Sequence, residues 1–173
     1  MSEATSPVPL DGERARDHRL PLGRSEIERR IPHRGRMCLL DRLEGWTLEA
    51  IHCSADSHQA PDHPLRCRLG LLAPAAIEYA AQATALHQAV NHAHAADGSG
   101  AAARPGFIAS ARDVHMFRTR LDDVAGRLQV HAVRQHGDSQ QSLYRFRVED
   151  EAGCVLVEGR LTVVLDRPLV VEP

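Results

Sequence analysis

The sequence predicts an α+β domain in which one long helix packs against a predominantly antiparallel sheet. Eleven alanines between Ala73 and Ala96 supply helix propensity to a stretch opened by Pro74, a residue suited to a first helical turn. From Phe107 onward the apolar periodicity switches to two, with turn chemistry between the segments. A chain of 173 residues is enough for one domain with a substantial core and short for two.

Residues 1–22 carry Pro7, Pro9 and Pro21 amid charge, which predicts a flexible N-terminal arm, followed by the domain at 23–167 and a tail at 168–173. Ser25 is placed to cap a short helix that Pro32 stops. Met37 to Leu43 reads as a strand that pairs with Leu48 to Ser57 across a turn near Gly45. A histidine- and proline-rich loop, Ser57 to Pro64, leads toward the long helix, which is expected to run to about His94 with Gly98 as its end signal. Asp97 to Arg104 reads as a loop returning the chain to the sheet. Strands are expected at Phe107–Arg118, near Leu128–Ala132, at Tyr144–Val148 and at Cys154–Leu165, where Gly159 interrupts the alternation. His136 to Ser139 and Asp150 to Gly153 supply the turns between them.

Charge is balanced at a net −2, every basic residue is an arginine, and no basic stripe with interleaved aromatics argues for nucleic acid. The N-terminus lacks the apolar core of a signal peptide, and no run reaches a membrane span, so a soluble, cytoplasmic protein is expected. Cys38, Cys53, Cys67 and Cys154 show no regular spacing, and three of the four sit among apolar or alternating residues, where free cysteine acts as a small hydrophobe.

The most informative feature is a carboxylate inside the apolar helix. Glu78 and Gln82 stand four residues apart and so share a helix face. Amide dipoles near the helix start favour an ionised Glu78, whereas apolar burial favours the neutral acid, and sequence leaves the sign open. Glu78 satisfies free amides locally, or it works as an acid–base group with a loop histidine, His58 or His63. A metal is not expected: His87 and His94 share a face but lie ~10.5 Å apart along the axis, His92 points elsewhere, and His52 leads no ligand motif. No GxSxG elbow is present, and Gly98-Ser99-Gly100 follows the helix, the wrong end for a phosphate.

Three segments, in order, resemble one family. Ile31-Pro32-His33-Arg34-Gly35-Arg36-Met37-Cys38-Leu39-Leu40-Asp41-Arg42 resembles the "LPHR-P-LLVDR" opening of β-hydroxyacyl-acyl-carrier-protein dehydratases, and Ile77-Glu78-Tyr79-Ala80-Ala81-Gln82-Ala83 resembles their "EAMAQA" helix. Gly106 to Asp113 with Arg120 to Asp123 is most similar to the divergent branch found in aryl-polyene biosynthetic clusters. The resemblance covers roughly residues 24–165. It implies a hotdog fold, an antiparallel sheet wrapped around a central helix, and dehydration of a 3-hydroxyacyl thioester on an acyl-carrier protein without a cofactor.

By the same resemblance His58 removes the Cα proton, with His63 as the alternative, and Glu78 assists, often across a dimer interface. Gln82 positions Glu78 or substrate, and a helix-start amide, that of Leu72 or Ala73, stabilises enolate-like charge. The family's "GHFP-x-x-P-x-x-PG" loop is not preserved, and Ala73-Pro74 replaces its Pro-Gly, which puts full activity in question. The implied partners are the carrier protein, meeting surface arginines such as Arg34, Arg36 or Arg112, and a second hotdog subunit in a homodimer or heterodimer. The competing functions are a hotdog thioesterase, in which Glu78 activates water, and a non-catalytic acyl-binding subunit of a hetero-oligomer.

Overall fold

The computed structural model describes residues 21–95, 106–138 and 140–165. Seven strands form one sheet: β1 (Leu22–Gly23), β2 (Arg42–Trp46), β3 (Ala50–Ala55), β4 (Gly106–Met116), β5 (Leu128–Gly137), β6 (Gln141–Glu149) and β7 (Val155–Leu165). Their spatial order is β1-β2-β3-β5-β6-β7-β4, with every pairing antiparallel. A short helix α1 (Arg24–Glu28) precedes β2, and the long helix α2 (Ala75–Ala95) lies on the sheet. This is the α+β, hotdog arrangement the sequence implies.

Helix α2 is buried on several sides. Ala76, Ala80 and Ala83 lie fully inside with Tyr79 and Leu86, and the missing side-chain bulk lets the backbone approach β3, β5 and β6 closely. The inward residues of the sheet alternate as expected, Leu128, Val130 and Ala132 on β5 facing Tyr144, Phe146 and Val148 on β6. Gly159 belongs to this inner row: a Cβ there would stand 2.9 Å from Phe146 Cε1 and 3.0 Å from Val114 Cγ2. The interruption of the alternation therefore makes room for an aromatic ring.

Several boundaries differ from the sequence expectation for identifiable reasons. Met37 to Leu40 is not a strand, although Cys38, Leu39 and Leu40 are fully buried; a 3-10 turn spans Gly35–Met37 and β2 begins only at Arg42. The backbone of this segment bonds to side chains instead of a ladder. Gln82 Oε1 accepts from Leu39 N–H at 2.8 Å, and Leu39 C=O accepts from Ser57 Oγ at 2.7 Å. The β2–β3 turn falls at Thr47–Glu49, where Thr47 Oγ1 accepts from the Ala50 amide, while Gly45 sits in β2 at a register shift. Helix α2 starts one residue after Pro74, and the expected end signal at Gly98 and the 97–104 loop lie outside the described residues, as do the tail and all but the end of the arm. Leu22, placed in the arm by sequence, pairs with Leu43 in β1. Only two of the cysteines, Cys38 and Cys53, act as buried hydrophobes; Cys67 and Cys154 are exposed.

The core also holds a histidine. His87 donates from Nε2 to Thr47 C=O at 2.8 Å and accepts at Nδ1 from Tyr144 O–H at 2.9 Å, while burial pushes its pKa down to about 4. A group held neutral in the fold and titrating normally when unfolded stabilises above its unfolded pKa and loses that contribution as pH falls toward the folded value. The urea midpoint should therefore drop between about pH 6.5 and pH 4, and drop less in His87→Gln. Gly159→Val should destabilise by about 1–3 kcal/mol through overpacking against Phe146, measured by urea unfolding.

Candidate active site

The loop between β3 and α2 carries the predicted histidines, and the structure places them in different settings. His63 is an internal strut: its Nδ1 accepts from the Leu65 amide at 3.1 Å, so Nε2 carries the hydrogen and donates to Tyr79 Oη at 3.1 Å. Tyr79 Oη lies 2.7 Å from Ser57 Oγ, which donates to Leu39 C=O, so the tyrosine donates to the serine. Both nitrogens of His63 are thus committed. Burial lowers its pKa, and Tyr79 is fully inside.

His58 stands in a 3-10 turn (Ser57–Gln59) and is fully buried. Its Nε2 lies 3.1 Å from Val124 C=O, an acceptor, so Nε2 is the protonated nitrogen. The other nitrogen, Nδ1, is buried with no hydrogen-bond partner among the described residues. Burial lowers its pKa, outweighing the Val124 bond and the neighbouring aspartates. The result is a neutral imidazole with an uncommitted lone pair.

Glu78 lies in the first turns of α2, and both of its hydrogen bonds fall on one oxygen. Gln82 Nε2 donates to Oε1 at 2.9 Å, and His33 Nε2 approaches the same Oε1 at 3.1 Å. Burial raises the carboxyl pKa, but the bonds from His33 and Gln82 outweigh it and hold the group below its usual value. The sign left open by sequence is therefore settled toward the carboxylate. Gln82 is itself fully buried and bonds at both ends: Nε2 also donates to Met37 C=O at 2.8 Å, while Oε1 receives Leu39 N–H.

Within the chain the structure brings Glu78 and Gln82 together and does not join either to His58 or His63 by a hydrogen bond. The Ala73 amide is spent on Thr119 C=O at 2.9 Å, so of the two amides expected to face the thioester carbonyl, Leu72 or Ala73, this one is already engaged. Ala73 instead forms part of the wall of an open cleft of about 380 Å³ with Leu72, Pro74, Met116, Phe117 and Arg118. His33 is the neighbour that sequence reasoning missed. Its signal was present in the Pro32-His33-Arg34 segment, but a contact spanning 45 residues leaves no periodicity to read.

Among the described residues no group of three or more His, Cys, Asp or Glu side chains could hold a metal. His87 is inside, His92 and His94 are exposed near the helix end, and His94 meets Trp46 edge-on at 5.7 Å; His52 stacks on His131 at 4.2 Å. No described helix is long and apolar enough to cross a membrane.

An antiparallel seven-stranded sheet against one long central helix defines a hotdog protein. The sequence model of the ApeP-like family, described as ApeP dehydratase, matches residues 25–169, and the chain belongs to that family. No curated protein matches it in sequence. Among solved structures it is similar to the dehydratase heterocomplex ApeI:P from Xenorhabdus doucetiae, at 22% identity and a TM-score of 0.70 over 82% of this chain and 91% of that one. It is also similar in fold to a thioesterase from Haemophilus influenzae, at 10% identity and a TM-score of 0.50 over 76% of this chain and 81% of that one. A Helicobacter felis protein shares the fold at 13% identity and a TM-score of 0.52, over 73% and 78% of the two chains.

Tyr79→Phe removes the acceptor of the His63 N–H and the donor to Ser57, leaving a buried N–H unpaired. It should cost about 1–3 kcal/mol in urea unfolding, with retention of the fold by circular dichroism.

Proposed function

We propose that the chain takes part in dehydrating a 3-hydroxyacyl thioester carried on an acyl-carrier protein, yielding the 2-enoyl thioester and water. The observation that carries this reading is the state of His58, neutral, with Nε2 fixed on Val124 C=O and Nδ1 uncommitted. That is the tautomer a general base requires. In the proposed reaction Nδ1 takes the Cα proton, the C–H electron pair forms the Cα=Cβ bond, and the Cβ–O bond breaks. The imidazolium returns its proton to the departing hydroxyl, which leaves as water.

Glu78, held as a carboxylate, receives the β-hydroxyl hydrogen bond at Oε2 and orients it, and Gln82 positions Glu78. Because the two groups share no hydrogen bond within the chain, the proposal places His58 of one hotdog subunit opposite the Glu78 position of another. Strand β4 supports such an assembly: 11 residues long, it lies at the sheet edge and among the described residues pairs with β7 alone. A long unpaired edge of this kind is a template for a second subunit. Homodimer and heterodimer both meet the requirement. Arg34, Arg36 and Arg112 are exposed and would form the surface that an acidic carrier protein meets, with Arg34 also bonded to Ile31 and His33 C=O and Arg36 paired with Asp62.

Thioester hydrolysis is the second reading, favoured by one feature: an ionised Glu78 with a free oxygen also suits activation of water. Incubating the chain, alone and with a second hotdog subunit, with a 3-hydroxyacyl carrier-protein thioester separates the cases by mass spectrometry. Dehydration gives the enoyl thioester, with His58→Ala and Glu78→Gln lowering its formation by about 100-fold or more. Release of free thiol would instead establish the thioesterase, and thioester binding without turnover in either arrangement would establish the non-catalytic subunit.

A further inference from the structure

We infer that His33 is a positioning residue for Glu78, donating from Nε2 to Oε1 so that Oε2 alone is left to face the substrate. The inference rests on the proposed function for its use of Oε2, and on geometry for the clamp itself.

The carboxylate oxygens are treated unequally. Oε1 receives Gln82 Nε2 at 2.9 Å and stands 3.1 Å from His33 Nε2, while no described side chain or amide bonds to Oε2. Two donors on one oxygen fix the rotation of the carboxylate plane, which a single donor does not. Gln82 reaches Glu78 from one turn further along the same helix, and His33 reaches it from the segment between α1 and β2, so the donors approach from two separate elements.

The tautomer of His33 follows from its second nitrogen. Nδ1 is buried and has no partner among the described residues. A buried unpaired N–H costs more than an unpaired lone pair, so the hydrogen resides on Nε2, where Glu78 accepts it. The ring is held in place by its own segment. Ile31 is buried to 1% exposure, the Arg34 guanidinium bonds to Ile31 C=O and His33 C=O, and Arg24 Nη2 donates to Gly35 C=O at 3.0 Å.

The groups acting on the Glu78 carboxyl are His33 and Gln82. Removing His33 deletes one donor to the charged form, so the carboxyl titration must move upward. The test is a carbon-13 NMR titration of Glu78 in the full chain, for wild type, His33→Ala and His33→Gln, together with kcat and KM on the 3-hydroxyacyl thioester. The inference predicts a higher midpoint in His33→Ala, recovered in part by His33→Gln, which keeps an N–H donor. It also predicts that kcat falls about tenfold in His33→Ala, the loss of one charge-assisted hydrogen bond, with KM within about twofold. An unmoved midpoint in His33→Ala overturns the inference, as does an equal kcat loss in both variants. If the wild type, alone and with a second hotdog subunit, forms no enoyl product while the midpoint still moves, the dehydratase reading falls and the clamp stands.

Discussion

The side chain of Gln82 is the interaction on which the arrangement of the site depends. It is fully buried on α2, yet all of its hydrogen-bonding ends are used: Oε1 for the Leu39 amide, Nε2 for Met37 C=O and for Glu78. A buried primary amide is tolerated only when so satisfied. Gln82 therefore does two things with one group. It seats a non-strand segment of backbone against the helix, and it turns the Glu78 carboxylate to a single orientation.

From Leu39 the network continues inward. Its C=O receives Ser57, which receives Tyr79, which receives His63, so a chain of directed hydrogen bonds runs from the catalytic-site carboxylate of the proposal to the loop before α2. The loop is pinned a second time by Arg66, whose Nη2 meets Asp122 Oδ2 at 2.6 Å while Arg120 holds the same carboxylate at 2.8 Å. Arg120, with Arg66, keeps the Asp122 carboxyl down to about 2, so this pin persists through the neutral range. With the loop fixed at both places, His58 is left in a turn where Val124 C=O sets its tautomer.

The sequence made the architecture legible because most of it is written in local patterns: Pro74 and the alanines announced α2, and the alternation in Tyr144, Phe146 and Val148 announced β6. It misread Met37 to Leu40 as a strand because the apolar run is real but its backbone partners are side chains from Gln82 and Ser57. Glu78 and Gln82 were legible at the site since they share a helix face. His58 and His63 were not told apart by local pattern, only by resemblance, because both are loop histidines near prolines and their different settings, a carbonyl for one and an amide plus a tyrosine for the other, are tertiary. His33 was invisible as a partner of Glu78 for the same reason: the contact is long-range.

The central claim is that Oε2 of Glu78 and Nδ1 of His58 are the two free atoms that a substrate meets. A crystal structure of the assembled protein with an unreactive 3-hydroxyacyl amide analogue tests it most directly. The account predicts the β-hydroxyl within hydrogen-bond distance of Glu78 Oε2, and Cα facing His58 Nδ1 of the apposed subunit. An analogue seated with its hydroxyl away from Glu78, or His58 still enclosed with Nδ1 turned from Cα, would contradict it.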